Sequence, residues 1–197
     1  MLQHTAKVGV PGGLYTIFCI NKIFFIIFVF QIQSMPRSYS RVILHAGFST
    51  KYRQPFIDEE IEAKLYAIMG NELKKYDCVP IAIGGVSDHV HLLFAMTRTA
   101  TIAKVMQSVK GVSSYWLRRQ GKKYEDFRWQ CSYFVFSADY RKLDGLIKYI
   151  LNQKAHHGQN NEKIDFKTEY EKLLRAFGFT DFDPKLEFPL PPVDSAA

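Results

Sequence analysis

The 197-residue sequence predicts an α+β fold. The expected form is a ferredoxin-like, RRM-like split βαβ arrangement, one antiparallel sheet with helices on one face. Three observations predict it. The elements run strand, helix, strand, strand, helix, strand, then helices. The middle two strands are separated by a two-residue polar turn, which makes them a hairpin. Each of the two stretches that would cross between strands carries apolar residues at helical spacing.

Arg41 to Phe48 is short and β-rich, a first strand, and Lys51 to Pro55 a polar turn. Asp58 to Tyr76 has Ile61, Leu65, Ile68 and Leu73 three to five residues apart. Asp58, Glu59 and Glu60 stand where the helix dipole favours acids. Val79 to Gly85 is a second strand closed by two glycines, Ser87 and Asp88 form the turn, and His89 to Met96 is the third strand. Thr101 opens a helix to about Gln120, with Ile102, Val105, Met106, Val109 and Val112 on its apolar stripe. Arg128 to Ala138 reads as an aromatic-rich fourth strand, Tyr140 to His157 as a third helix and Phe166 to Phe177 as a fourth.

The ends differ from this core. Residues 1–34 contain no acid and hold an Ile-, Phe- and Val-rich run from Leu14 to Ile32, broken by Asn21 and Lys22. A signal-like or membrane segment is one reading, although Ile23 to Phe30 is short for a span. The preferred expectation is that translation starts at Met35, residues 1–34 being an extension outside the native protein. The domain expected is 35–180, followed by a proline-rich tail over 181–197. Lysine and arginine total 26 against 19 acids. That balance favours a polyanionic partner, and an inert basic surface is the equal alternative. Cys19, Cys78 and Cys131 form no CxxC pair or disulfide framework, which fits a reducing cytoplasm.

The stretch SDHVHLLFAM (87–96) carries two histidines in an otherwise apolar strand. A side-chain period of two puts His89 and His91 on one face, either as satisfied core residues or as ligands of an ion. In the third helix Leu143, Leu146, Ile147 and Ile150 define the buried stripe, and Tyr149, Gln153 and His156 lie together beside it. Gln153 can offer a carbonyl oxygen as a third ligand. A divalent ion so held would polarise a phosphodiester, and a tyrosine hydroxyl could attack it. The bland alternative is a tyrosine packing its ring at the core edge. Asp88 is either a turn residue or a support for His89. His45 reads as core, and His157 falls nearer the apolar stripe than His156. Lys110, Arg118 and Arg119 are candidate phosphate contacts, with solvated helix charges the equal alternative. Trp129, Tyr133 and Phe134 could stack on bases, although strand aromatics are usually core.

His89-Val90-His91 matches the His-hydrophobe-His motif of HUH nucleases, and Tyr149 with Gln153 and His156-His157 resembles the tyrosine helix of the single-tyrosine HUH transposases of small insertion sequences. RVILHAGFSTKYR (41–53), MQSVKGVSS (106–114) and FRWQCSYFVFS (127–137) stand in that family's order. More narrowly, the chain is similar to the REP-associated tyrosine transposase branch, and the resemblance covers roughly Pro36 to Phe179. The resemblance implies Mg²⁺ or Mn²⁺ held by His89, His91 and Gln153. It implies a mobile tyrosine helix whose Tyr149 attacks single-stranded DNA near hairpins, leaving a 5′-phosphotyrosine and a free 3′-hydroxyl. It also implies a homodimer in several members, the helix of one subunit serving the histidines of the other. Imidazole ligands alone would suit Zn²⁺ or Mn²⁺ better than Mg²⁺. No membrane association or small-molecule cofactor is expected. The alternatives are a domesticated nuclease that processes repetitive hairpins, and a nucleic-acid binding module without chemistry.

Overall fold

The computed structural model describes residues 5–10, 13–20, 23–29, 39–154, 166–183 and 189. The chain divides into two compact units, Met1–Tyr39 and Ser40–Ala197. In the first, β1 (Thr5–Val10), β2 (Gly13–Ile20) and β3 (Ile23–Val29) pair antiparallel in that order. Among the described residues no helix is long and apolar enough to cross a membrane.

The second unit is built on β4 (Val42–Ser49), α1 (Glu59–Lys75), β5 (Val79–Val86), β6 (His89–Met96), α2 (Ile102–Leu117), β7 (Phe134–Ser137), α3 (Leu143–Leu151) and α4 (Phe166–Ala176). The sheet order is β5-β6-β4-β7, antiparallel throughout, which is the split βαβ arrangement expected from the element order. Both crossover helices start on side-chain caps. Asp58 accepts from the amides of Glu60 and Ile61, and Thr101 from that of Lys104.

Alternation along the strands sorts the two faces. Leu44, Ala46 and Phe48 of β4 and Val90, Leu92 and Phe94 of β6 meet Leu65, Met69, Leu73, Val105, Met106 and Val109 of α1 and α2 in the main core. One-sided packing holds for these two helices. On the opposite face a smaller cluster joins Ile43, Ala82 and Leu93 to Ile150 of α3. The tyrosine-bearing helix therefore lies on the sheet face that carries the histidines, away from α1 and α2.

Two elements are shorter than the sequence pattern suggests. Only Phe134–Ser137 of the expected fourth strand joins the ladder. Upstream, Trp129 makes a lone bridge to Thr50, and the Lys110 ammonium holds the carbonyls of Gln130, Cys131 and Ser132 at 2.6, 2.8 and 3.2 Å. The α3 helix proper ends at Leu151. Gln153 is described, whereas His156 and His157 lie outside the described residues.

Candidate active site

The strand register assembles the site. His89 is opposite Ser49 and Val86, and His91 is opposite Gly47 and Gly84, so both imidazoles project from one sheet face. Two glycines flanking His91 make room. A side chain at Gly47 would strike the Phe134 ring, which packs beside His91. A side chain at Gly84 would come within 2.1 Å of the Ile150 carbonyl oxygen. That close approach seats α3 against β5 and brings Tyr149 over the histidines, with its ring centroid 5.9 Å from that of His91.

Both imidazoles are buried, and each is held at Nδ1. His89 Nδ1 lies 2.7 Å from Asp88 Oδ1. Asp88 is in turn gripped by Arg53, with Nη2 at 2.8 Å and Nε at 3.1 Å from Oδ2. Arg53 and Tyr52 reach this position with φ of 56° and 58°, a left-handed turn that is uncommon outside glycine. Burial pushes the Asp88 carboxyl up, but His89 and Arg53 outweigh it and hold the pKa below its ordinary value. The second imidazole, His91, places Nδ1 3.0 Å from His45 Nε2. Burial drives the pKa of His45 down to about 4, so that ring is neutral at physiological pH and its Nε2 can accept a hydrogen bond from the Nδ1–H of His91. With both Nδ1 atoms protonated, both Nε2 lone pairs are available on the same side.

What both Nε2 atoms face is Glu169 on α4. Its Oε1 is 3.3 Å from His91 Nε2, and its Oε2 is 4.0 Å from His89 Nε2. The same carboxylate accepts the hydroxyl hydrogen of Tyr149. Potential ligand atoms of His89, His91 and Glu169 all lie within 4.8 Å of one another. Two imidazoles and a carboxylate converging on one point make a donor set that fits a divalent first-row ion such as Mn²⁺. Burial raises the pKa of the Tyr149 hydroxyl above its ordinary value, the negative Glu169 adds to the rise, and Gln153 one turn along the helix opposes it. Gln153 is itself buried.

The sequence-predicted residues thus divide. His89, His91, Tyr149, Gln153 and Asp88 come together. Arg118 and Arg119 are exposed at the far end of α2. Arg119 donates to the Tyr115 hydroxyl at 3.1 Å and lies over its ring. Lys110, expected at phosphates, has its ammonium turned onto three main-chain carbonyls and over the rings of Phe48 and Tyr133. Trp129 and Phe134 are buried, so they are core residues; Trp129 donates to the Ser113 hydroxyl at 2.9 Å. Two residues went unrecognised. His45, read as core, is buried as expected but also holds His91. Glu169 sits on the apolar stripe of α4 between Phe166 and Tyr170, and an acid on a core-facing stripe was the available signal.

The family model for IS200-like transposases matches residues 38–153. No curated protein matches the chain. Among solved structures, a candidate transposase from Deinococcus radiodurans R1 is 24% identical, with 59% of this chain and 95% of that chain covered and a TM-score of 0.48. A REP-associated tyrosine transposase bound to a REP hairpin is 12% identical, with 75% and 93% covered and a TM-score of 0.47. The matched span holds the whole four-stranded sheet, the histidine pair, α3 with Tyr149, and Gln153 just beyond it, and on that ground the chain belongs to the IS200-like transposase family.

Proposed function

We propose that this transposase is a divalent-metal-dependent endonuclease and strand transferase of single-stranded DNA bearing hairpins, of the REP-associated tyrosine branch. The observation that carries the reading is a single one. The Tyr149 hydroxyl, the Glu169 carboxylate and the Nε2 atoms of His89 and His91 share one centre within one chain. A nucleophile and an electrophile-activating site are thereby juxtaposed without a second subunit.

In this reading His89, His91 and Glu169 would hold Mn²⁺ or Mg²⁺, with Gln153 as a further oxygen donor, and an ion held there would supply Lewis-acid polarisation of the scissile phosphate. Glu169 takes the proton of the Tyr149 hydroxyl along the hydrogen bond already present, which offsets the raised pKa of that group. The Tyr149 oxygen forms a bond to phosphorus as the bond to the 3′-oxygen breaks. The products are a 5′-phosphotyrosine and a 3′-oxyanion, which becomes the 3′-hydroxyl by taking a proton from water. Because the phosphotyrosine retains the energy of the broken linkage, a 3′-hydroxyl can reverse the step on a new strand. Asp88 and His45 orient the imidazoles, and Arg53 orients Asp88. Arg118 and Arg119 are proposed to contact the DNA backbone. The reducing interior of the cell suits the free thiols of Cys78 and Cys131.

The test is incubation with a library of hairpin-bearing single-stranded DNA and Mn²⁺, followed by denaturing electrophoresis. Wild type should yield a protein–DNA adduct that is lost with chelator and absent from Tyr149→Phe. An adduct of equal strength from Tyr149→Phe would refute the assignment.

A further inference from the structure

A cavity of about 900 Å³ opens beside the catalytic centre, between β7, α3 and α4. We propose that it is a pocket for an unpaired nucleobase adjoining the scissile phosphate, an inference that rests on the strand-cleaving reading above. Its walls include Phe136, Phe177, Leu146 and the ring of Tyr149, and its rim carries Asp139 and Lys142.

Three features select this occupant. First, Tyr149 is a shared wall: its ring lines the cavity while its hydroxyl meets Glu169. A phosphate within reach of that hydroxyl carries a nucleoside on either side, and the cavity is space into which one of them can turn. Second, Phe136 and Phe177 lie parallel, with centroids 4.1 Å apart and planes within 4°. Phe177 is 46% exposed, although one face of its ring is covered by Phe136. A base added to that stack would cover an apolar ring that the fold leaves open, and stacking tolerates every base because each has a π face. Third, the polarity is graded. Apolar walls reject the charged phosphate and accept the flat base, while Asp139 and Lys142 at the exposed rim offer an acceptor and a donor to its edge. Neither Arg118 nor Arg119, at the C-terminal end of α2, lines the pocket.

The probe is a twelve-nucleotide oligothymidylate with one central 2-aminopurine, bound in Mg²⁺ to the full chain carrying Tyr149→Phe, which cannot react. Binding should quench the 2-aminopurine. Adding Phe177→Ala, at an exposed site, should remove the quenching at saturation and weaken binding about tenfold. Phe136→Leu should act in the same direction, whereas Arg119→Ala should weaken binding and leave the quenching at saturation intact. Quenching that survives Phe177→Ala in a protein of unchanged melting temperature overturns the pocket. The adduct assay on chains that retain Tyr149 separates the two readings. An adduct with surviving quenching leaves the cleavage chemistry standing without the pocket. Quenching lost as expected, with no adduct from wild type, leaves a base pocket on a protein that does not cut.

Discussion

Replacing His45 with phenylalanine isolates one bond of the site. The ring is similar in shape, its edge-on contact with Phe134 at 5.1 Å can persist, and only the acceptor 3.0 Å from His91 Nδ1 disappears. With an ion held at Nε2, His91 must keep its proton on Nδ1, now buried without an acceptor. Such a loss costs about 1–3 kcal/mol, or roughly 5- to 150-fold in Mn²⁺ affinity. Losses of 10- to 100-fold, about the middle of that range, are typical when the partner of a metal-bound histidine is removed. Without the ion, His91 can move its proton to Nε2 and donate to Glu169, 3.3 Å away, so the apo protein should be less affected than the loaded one. Isothermal titration with Mn²⁺ at pH 7.5, set beside urea denaturation of the metal-free chain, reads both quantities. His45→Gln, whose amide oxygen can accept, should recover most of the affinity. Unchanged Mn²⁺ affinity in a folded His45→Phe, or a loss in His45→Gln as large, would show that His45 merely fills space.

Gly84→Ala should push α3 off β5, because the added carbon would sit 2.1 Å from the Ile150 carbonyl oxygen; stability should fall by about 1–3 kcal/mol and adduct yield more than tenfold, measured by urea melts and electrophoresis. Arg118→Ala and Arg119→Ala should each weaken DNA binding and reduce the salt slope by about one, whereas Lys110→Met should leave that slope unchanged and lower stability by about 1–3 kcal/mol as three carbonyls lose their donor; fluorescence anisotropy across salt concentrations separates the two behaviours. Asp58→Ala should cost about 1 kcal/mol through loss of the α1 cap. The hydrogen bond from Lys123, then that from Tyr124, draws the Asp58 pKa down to about 2, below its unfolded value near 3.8. The ionised form is therefore favoured by folding, and its contribution, under about 1 kcal/mol at this partly exposed site, is complete above that unfolded value and lost as pH falls through about 2. Acid titration of wild type against Asp58→Asn checks it.

The sheet and its crossover helices were legible because period-two and period-3.6 patterns are local, and Asp58 and Thr101 mark helix starts without any tertiary information. The placement of α3 was not. An amphipathic helix declares which of its faces is buried, but the sheet face that receives it depends here on Gly84 lying beside His91 across β5 and β6. The fourth strand was overextended because aromatic residues between Arg128 and Tyr133 look β-like, while Lys110 and the Trp129–Thr50 bridge divert that backbone from the ladder. His89, His91, Tyr149 and Gln153 stood out by spacing. His45 needed the β4–β6 register to reveal its diagonal partner. Glu169, 78 residues beyond His91 in sequence, needed the docking of α4, and an acid among aromatics on a helix is easily assigned to the surface.

Strand β6 interleaves its two duties residue by residue: His89 and His91 serve one side while Val90, Leu92 and Phe94 build the other. Frame-preserving deletion of the codon between His89 and His91 would turn the two imidazoles to opposite faces of the sheet, one of them toward α1 and α2. Point changes can wear the gene down gradually, but such a deletion removes folding and cutting in one event. Related chains that still fold should therefore differ by substitutions along β6 while keeping its length.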